Sequence, residues 1–424
     1  MKYKMTTTFS EYSFEYLLNE SQSLLSRLRQ VKPFSMTMPM VKGASVSDKA
    51  LKAVIDLLEQ GKNGLYNSVN SYIRILKAAK GRNEDPKPYQ AKFTLIKLRF
   101  NSILDQLDIF ADVLSQRAEH EVGIWLSGLD VLAEDGLTIG KDLYEDPPAL
   151  MVYLDRGHGA AIRRARTRLP GGDENPVAVI QIPRERMVGS GIASSLIHEV
   201  GHQAAALLDL VTSLRSELKN RQLQEKNKDA WIHFERWISE IISDVWAMGH
   251  LGIAATLGLM NVVTLPKYFQ FRLDLEDPHP APYVRVQVSC AFGKKMFPHP
   301  QWERAWDLWR TFYPSDDLPE DKRILLQEID EEMNDFVTLV LNHTNRSLKG
   351  KKLGELFPVE ARQPHVLQQL YQQWKDYPRL IERAPPTLVF AIMGQAKSDN
   401  KIDAGDESSI LSQQLRNWAF NRKY

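Results

Sequence analysis

Five residues, His198-Glu199-Val200-Gly201-His202, constrain the fold of this chain more than any other stretch. On an α-helix, residues four apart stand one turn above each other, so the imidazoles of His198 and His202 face one point with Glu199 beside them. The flanks are apolar, with Leu196, Ile197 and Val200 around the pair and Ala204 to Ala206 after it. Two polar rings on a buried helix face are costly without a common partner. The stretch therefore predicts a buried helix and a second element that brings a further ligand. Gly201 adds a demand of its own. Glycine costs about 1 kcal/mol relative to alanine inside a helix, so its missing side chain predicts close approach of a neighbouring strand or of a substrate. The plain alternative is two histidines on a buried face with Glu199 ion-paired elsewhere.

Two neutral imidazoles on adjacent turns suit Zn²⁺, which takes nitrogen at roughly 2.0–2.1 Å and in catalytic sites keeps one position open for water. Glu199 has the reach to serve as a base for that water. A third protein ligand is then required, and Glu240-Ile241-Ile242-Ser243-Asp244 supplies a fitting pair. Glu240 would complete a His₂Glu set, while Asp244, one turn on, would accept the free ring N–H of a ligand histidine. His233, Glu235 and His250 compete for the third position. No Gly-x-x-His follows His202, which argues against zinc proteases whose third ligand is a nearby histidine.

In these residues the chain resembles the gluzincin metallopeptidases, the group that includes the thermolysin-like enzymes. The resemblance runs over roughly residues 176–250. It implies zinc held by His198, His202 and Glu240, with Glu199 as general base and Asp244 behind a ligand histidine. The chain departs from the compact members in the 37 residues that separate His202 from Glu240. A further segment, Asp277-Pro278-His279-Pro280-Ala281-Pro282-Tyr283-Val284-Arg285, is stiffened by three prolines. It is similar to His-Pro plus Arg segments that follow the third ligand in some gluzincins. That similarity implies an oxyanion-stabilising role for His279, Tyr283 or Arg285. A rigid connector is the plain alternative.

At 424 residues the chain is too long for one compact core. Apolar residues recur at helical spacing from Phe9 to Gln30, at Leu51, Val54, Ile55 and Leu58, and at Leu65, Val69, Tyr72 and Leu76. Phe93, Ile96, Phe100, Ile103, Leu107, Phe110 and Leu114 then alternate steps of three and four, a seam that predicts packing against sister helices. Residues 1–140 are accordingly expected to be a helical bundle. Ala149 to Leu154 and Pro176 to Ile182 read as strands, the second either exposed to pair with a peptide substrate or a plain core strand. With the HExxH helix they predict a zincin-like core over residues 141–290. Within it, Ser213 to Asp229 is polar and charged, which predicts a helical hairpin tip or a loop on the surface. Trp302 to Phe312, Lys322 to Leu341, Val366 to Trp374, Thr387 to Met393 and Ser409 to Phe420 predict a helical region over residues 291–424, with no recognisable catalytic spacing. The expected class is mainly α, with an α+β core.

Lys plus Arg number 54 against 53 Asp plus Glu, and the net charge of +1 offers no electrostatic case for nucleic acid or an acidic membrane. The lone Cys290 excludes an intrachain disulfide and fits a reducing compartment. The N-terminus lacks the apolar region of a secretory signal, so a cytoplasmic location is expected. Val245 to Leu265 carries no formal charge over 21 residues. Its glycines, His250 and Asn261, with Glu240 and Asp244 just before it, predict a buried helix or helix pair rather than a membrane span. The expected activity is zinc-dependent hydrolysis of peptide bonds in a peptide or protein substrate. The rivals are a non-peptidase zinc amide hydrolase and a helical scaffold that retains a structural or vestigial zinc site.

Overall fold

The computed structural model describes residues 3–32, 34–82, 84–139, 141–156, 159–184, 189–223 and 226–422. Its described part is mainly α, with sixteen α-helices and one small three-stranded sheet. The chain divides into two compact units, Met1–Gly123 with Ala165–Val177, and Ile124–Arg164 with Ala178–Lys423.

The first unit is built on α1 (Tyr3–Gln30), the short α2 (Phe34–Thr37), α3 (Asp48–Ala79) and α4 (Lys87–Ser115). The Ser47 hydroxyl accepts the Ala50 N–H and starts α3, satisfying a donor the helix itself leaves unpaired. That helix runs unbroken through Gly61 and Gly64. The α4 seam is intramolecular: Phe93, Ile96, Phe100 and Ile103 share one core with Leu17, Leu24 and Leu28 of α1 and Leu65, Val69, Tyr72 and Leu76 of α3. Residues 165–177 fold against α4. Arg99 pairs with Asp173 at 2.7 Å, and the Gln106 amide donates to Pro170 O at 2.7 Å and to the same carboxylate at 2.8 Å. The division between units falls within α5 (His120–Thr138).

In the second unit, β1 (Leu150–Asp155), β2 (Ala161–Arg163) and β3 (Ala178–Pro183) form a sheet of order β1-β3-β2. β1 is parallel to β3, from Leu150↔Ala178 to Asp155↔Pro183, and β2 is antiparallel to β3, from Ala161↔Gln181 to Arg163↔Val179. β3 is therefore central and paired on both sides, so it has no free edge for a substrate. The edge nearer the site is β2, whose three residues are too few to show a period in sequence.

Helices follow: α6 (Gly191–Leu207), α7 (Leu210–Gln222), α8 (Lys228–Leu251), α9 (Ile253–Val262), α10 (Lys267–Gln270), α11 (Pro282–Met296), α12 (Gln301–Phe312), α13 (Glu320–Asn342), α14 (Pro364–Asp376), α15 (Pro386–Ser398) and α16 (Ala404–Asn421). α7 occupies much of the charged stretch and α8 begins at its end, so of the two expected forms the stretch is the tip of a helical hairpin. α7 buries Leu210, Leu214 and Leu218, an i, i+4 stripe masked by charged neighbours. The uncharged run Val245 to Leu265 breaks at Gly252, whose φ of +56° suits glycine, into the end of α8 and all of α9. No helix among the described residues is long and apolar enough to cross a membrane. A Cβ on Gly201 of α6 would lie 2.8 Å from the Ser243 Cα and 2.9 Å from the Trp246 Cβ. The close approach that Gly201 permits is thus that of a helix, α8, and not of a strand or substrate.

Candidate metal centre

The contact at Gly201 sets one turn of α6 against one turn of α8, and this is where four polar side chains meet. His198 Nε2 lies 3.3 Å from Glu240 Oε2, and His202 Nε2 lies 3.3 Å from Glu240 Oε1. One donor atom from each of the three residues falls within 4.8 Å of the others. Ligands on a tetrahedral cation with bonds of about 2.0–2.1 Å stand roughly 3.4 Å apart, so the donor spacing fits such an ion. His198 Nδ1 is 2.7 Å from Asp244 Oδ1. Donating Nδ1–H to that carboxylate leaves the lone pair of Nε2 pointing at the shared centre.

Asp244 is fixed in turn by Arg285 of α11, whose Nε donates to Oδ2 at 2.7 Å and Nη2 to Oδ1 at 2.9 Å. Such a fork sets the plane of the carboxylate as well as its charge. Arg285 Nη2 also stands 3.6 Å from Glu240 Oε2. Burial works against every charge here, yet the charges hold one another. Asp244 is kept below the ordinary carboxylate range by Arg285 and His198, and Glu240 lies far below it through its bonds to both histidines. Burial opposes the His198 imidazolium, but Asp244 and then Glu240 outweigh it and raise the ring to about 9. Glu199 goes the other way: burial lifts its carboxyl above the ordinary value, against the pull of His198 and His202.

These groups open on a cleft of about 460 Å³. His198, Glu199, His202, Glu240, Asp244, His279 and Arg285 line it, and its walls include residues 159–162, Arg164, Ser194, Ser195 and Ser239, and Leu259 and Val262 of α9. His279 is more than half exposed; its Nε2 is 3.8 Å from Glu240 Oε2 and its Nδ1 2.8 Å from Asp277 Oδ1, with Asp277 paired to Arg272.

Of the residues singled out in sequence, the structure brings His198, Glu199, His202, Glu240, Asp244, His279 and Arg285 to one cleft. Tyr283 is not among its lining residues. It is buried between the rings of Phe271 and Trp306, at 4.7 and 5.1 Å, because two residues along α11 from Arg285 is the opposite face. The rival third ligands also lie elsewhere. His233 meets the Asp229 and Leu273 carbonyls, Glu235 faces Arg215 and Lys219, and His250 is buried against the Trp246 carbonyl. Sequence reasoning missed the wall segment 159–164 and the serines of α6 and α8, which carry no diagnostic spacing.

No protein-family model, curated protein or solved structure matches the chain.

Proposed function

We propose that the protein is a zinc-dependent peptidase of the gluzincin kind, with His198, His202 and Glu240 as ligands and Glu199 as general base. The observation that carries this reading is a three-donor set beside a buried carboxylate in an open cleft. A purely structural zinc site is closed by four protein ligands, whereas a catalytic one keeps a position for water. Among the described residues the donor set has three members. A peptide substrate is favoured over a compact amide because β2 is an edge strand and its residues wall the cleft, which suits an extended backbone.

Zinc, when bound, supplies a Lewis acid that lowers the pKa of water toward 7 and polarises a carbonyl. Glu199 takes the proton from the attacking water and returns it to the leaving amine; burial, by raising its affinity for a proton, suits it to both steps. His279, held through Nδ1 by Asp277, presents Nε2 to the cleft, and in its imidazolium form that atom donates to a developing oxyanion. Arg285 acts at one remove, orienting Asp244 and through it His198. The test is Glu199→Gln, which keeps the shape and removes the base. It is expected to retain one zinc per chain while peptide turnover falls by about 10²–10⁴-fold. Turnover at the unsubstituted rate would overturn the mechanism.

A further inference from the structure

A serine inside a helix commonly turns its hydroxyl back onto the helix, and in this chain Ser21, Ser68, Ser102 and Ser243 each donate to the carbonyl four residues before. Ser194 of α6 donates across to Ala255 O of α9 instead, at 3.0 Å. Its neighbour Ser195 does neither. It is half-buried in the wall of the metal cleft, and its hydroxyl has no hydrogen-bond partner among the described residues. A hydroxyl left unbonded on a cavity wall is placed to bond what enters the cavity. His198 reaches both Glu240 and Asp244, whereas His202 reaches Glu240, so α6 and α8 run antiparallel and Ser195, one turn before His198, stands toward the Asp244 end of the cleft. α9 packs at this end. A Cβ on its Gly258 would lie 2.4 Å from the Ser194 Cβ and 3.4 Å from the Gly191 Cα, a contact that brings the cleft residues Leu259 and Val262 alongside the first turns of α6. The recess so formed has aliphatic sides and one neutral hydroxyl, a helical turn away from His198 and Glu199.

We propose that Ser195 is a specificity residue: with Leu259 and Val262 it receives an uncharged hydrogen-bonding side chain of the substrate, a hydroxyl or a carboxamide, in a residue that flanks the bond held at the metal. The serine hydroxyl both donates and accepts, so either group pairs with it. An aliphatic recess alone hardly separates a methyl group from a hydroxyl of the same shape. A hydrogen-bonding group within it does, because an apolar occupant strips water from that group and returns no bond. The proposal rests on the peptidase reading for turnover; the binding it invokes is measurable without hydrolysis.

The experiment uses the full chain as the zinc-loaded Glu199→Gln protein and measures peptide affinity by calorimetry. One series moves Thr or the similarly shaped Val along an otherwise neutral peptide; a second does the same with Asn and Leu. At one position the polar member of a pair is expected to bind about tenfold more tightly than its apolar counterpart, and the pair in which this occurs identifies the group as hydroxyl or carboxamide. Adding Ser195→Ala, which alanine's helix preference makes safe for folding, is expected to erase the difference. Ser239→Ala removes the unbonded hydroxyl on the α8 wall, toward the other end of the cleft, and is expected to leave the preference in place. Equal or absent binding of polar and apolar peptides, a preference that survives in Ser195→Ala, or one lost only in Ser239→Ala overturns the proposal. If the preference holds but the unsubstituted enzyme hydrolyses none of these peptides, the selection stands and the peptidase reading falls.

Discussion

Asp244 makes no bond to the proposed metal, yet two neighbours depend on it. It accepts from His198 Nδ1 and takes both donors of the Arg285 fork at the wall of the cleft. Asp244→Asn preserves volume but removes the charge that fixes the His198 tautomer and leaves Arg285 short of an anion. Zinc affinity is expected to fall by about 10–100-fold, the usual scale for groups behind a ligand histidine. Competition with a chromogenic chelator measures it, and an unchanged affinity would remove Asp244 from the site. Gly201 acts through space rather than charge. An added Cβ would meet the backbone of Ser243 at 2.8 Å, and backbone does not rotate away. Gly201→Ala is expected to push α6 and α8 apart and cost about 1–3 kcal/mol of stability, seen as a lower Tm. Because both helices that carry the proposed ligands shift, zinc affinity should fall with it; an alanine protein with unchanged Tm would contradict the packing. The convergence of His198 and His202 was legible in sequence because a helix turns i, i+4 spacing directly into geometry. Tyr283 was not separable from His279 and Arg285, since the facing of each depends on where α11 begins and what packs on it.

Elements differ in how openly they announce themselves. α3 and α4 carry long apolar periods, and their core follows the seam from Phe93 to Ile103. α7 is only faintly marked, since three leucines carry its buried face and leave helical hairpin and loop both open, and β2 is hidden because three residues have no period. The hold of α4 on residues 165–177 was equally silent, since an Arg–Asp pair 74 positions apart leaves no local pattern. It has a pH signature. The Arg99 hydrogen bond, aided by Gln106, keeps the Asp173 carboxyl below its ordinary value in the folded chain. A depressed folded pKa gives stability that is present above the unfolded value of about 4 and lost as pH falls through the folded one. Asp173→Asn is therefore expected to lower stability at pH 7 by about 0.5–1 kcal/mol, modest because the pair is partly exposed. The gap from the parent should close below about pH 4. Urea unfolding at pH 7 and pH 3 checks it, and a gap that stays constant would assign the effect to shape alone.

Within the second unit, the region after residue 290 is fastened to the elements that carry the metal donors, although its sequence shows no catalytic spacing. Glu407 of α16 is fully buried; one oxygen accepts the N–H of Ser190, the residue just before α6, at 3.1 Å, and the other accepts Lys397 Nζ at 2.7 Å. A Cβ on Gly394 of α15 would stand 2.2 Å from the Ala254 Cβ of α9. Beyond α16, Arg422 pairs with Asp130 and Glu134 of α5, and Asp130 accepts the Val152 N–H of β1 at 2.8 Å. None of this was legible, because a helix capped by a side chain 217 positions away leaves no local signal at either end. The carboxylate at Ser190 does two things: it satisfies a buried N–H and places negative charge at the positive end of α6. Two substitutions separate them. Glu407→Gln keeps an acceptor for Ser190 but no charge for the helix or for Lys397, whereas Glu407→Leu keeps neither. The expected order of stability is parent, then Gln, then Leu, with Leu costing roughly 1–3 kcal/mol for the unpaired donor. Lys397 adds little to that loss, because it is nearly half exposed and turns to water. Since Ser194 and Ser195 follow Ser190 by little more than one turn, loosening this end is expected to weaken zinc binding in the same order, while the far-UV spectrum stays that of the parent. Zinc affinity unchanged in Glu407→Leu, at a temperature where that protein is folded, would show that α16 supports the unit without positioning the metal helix.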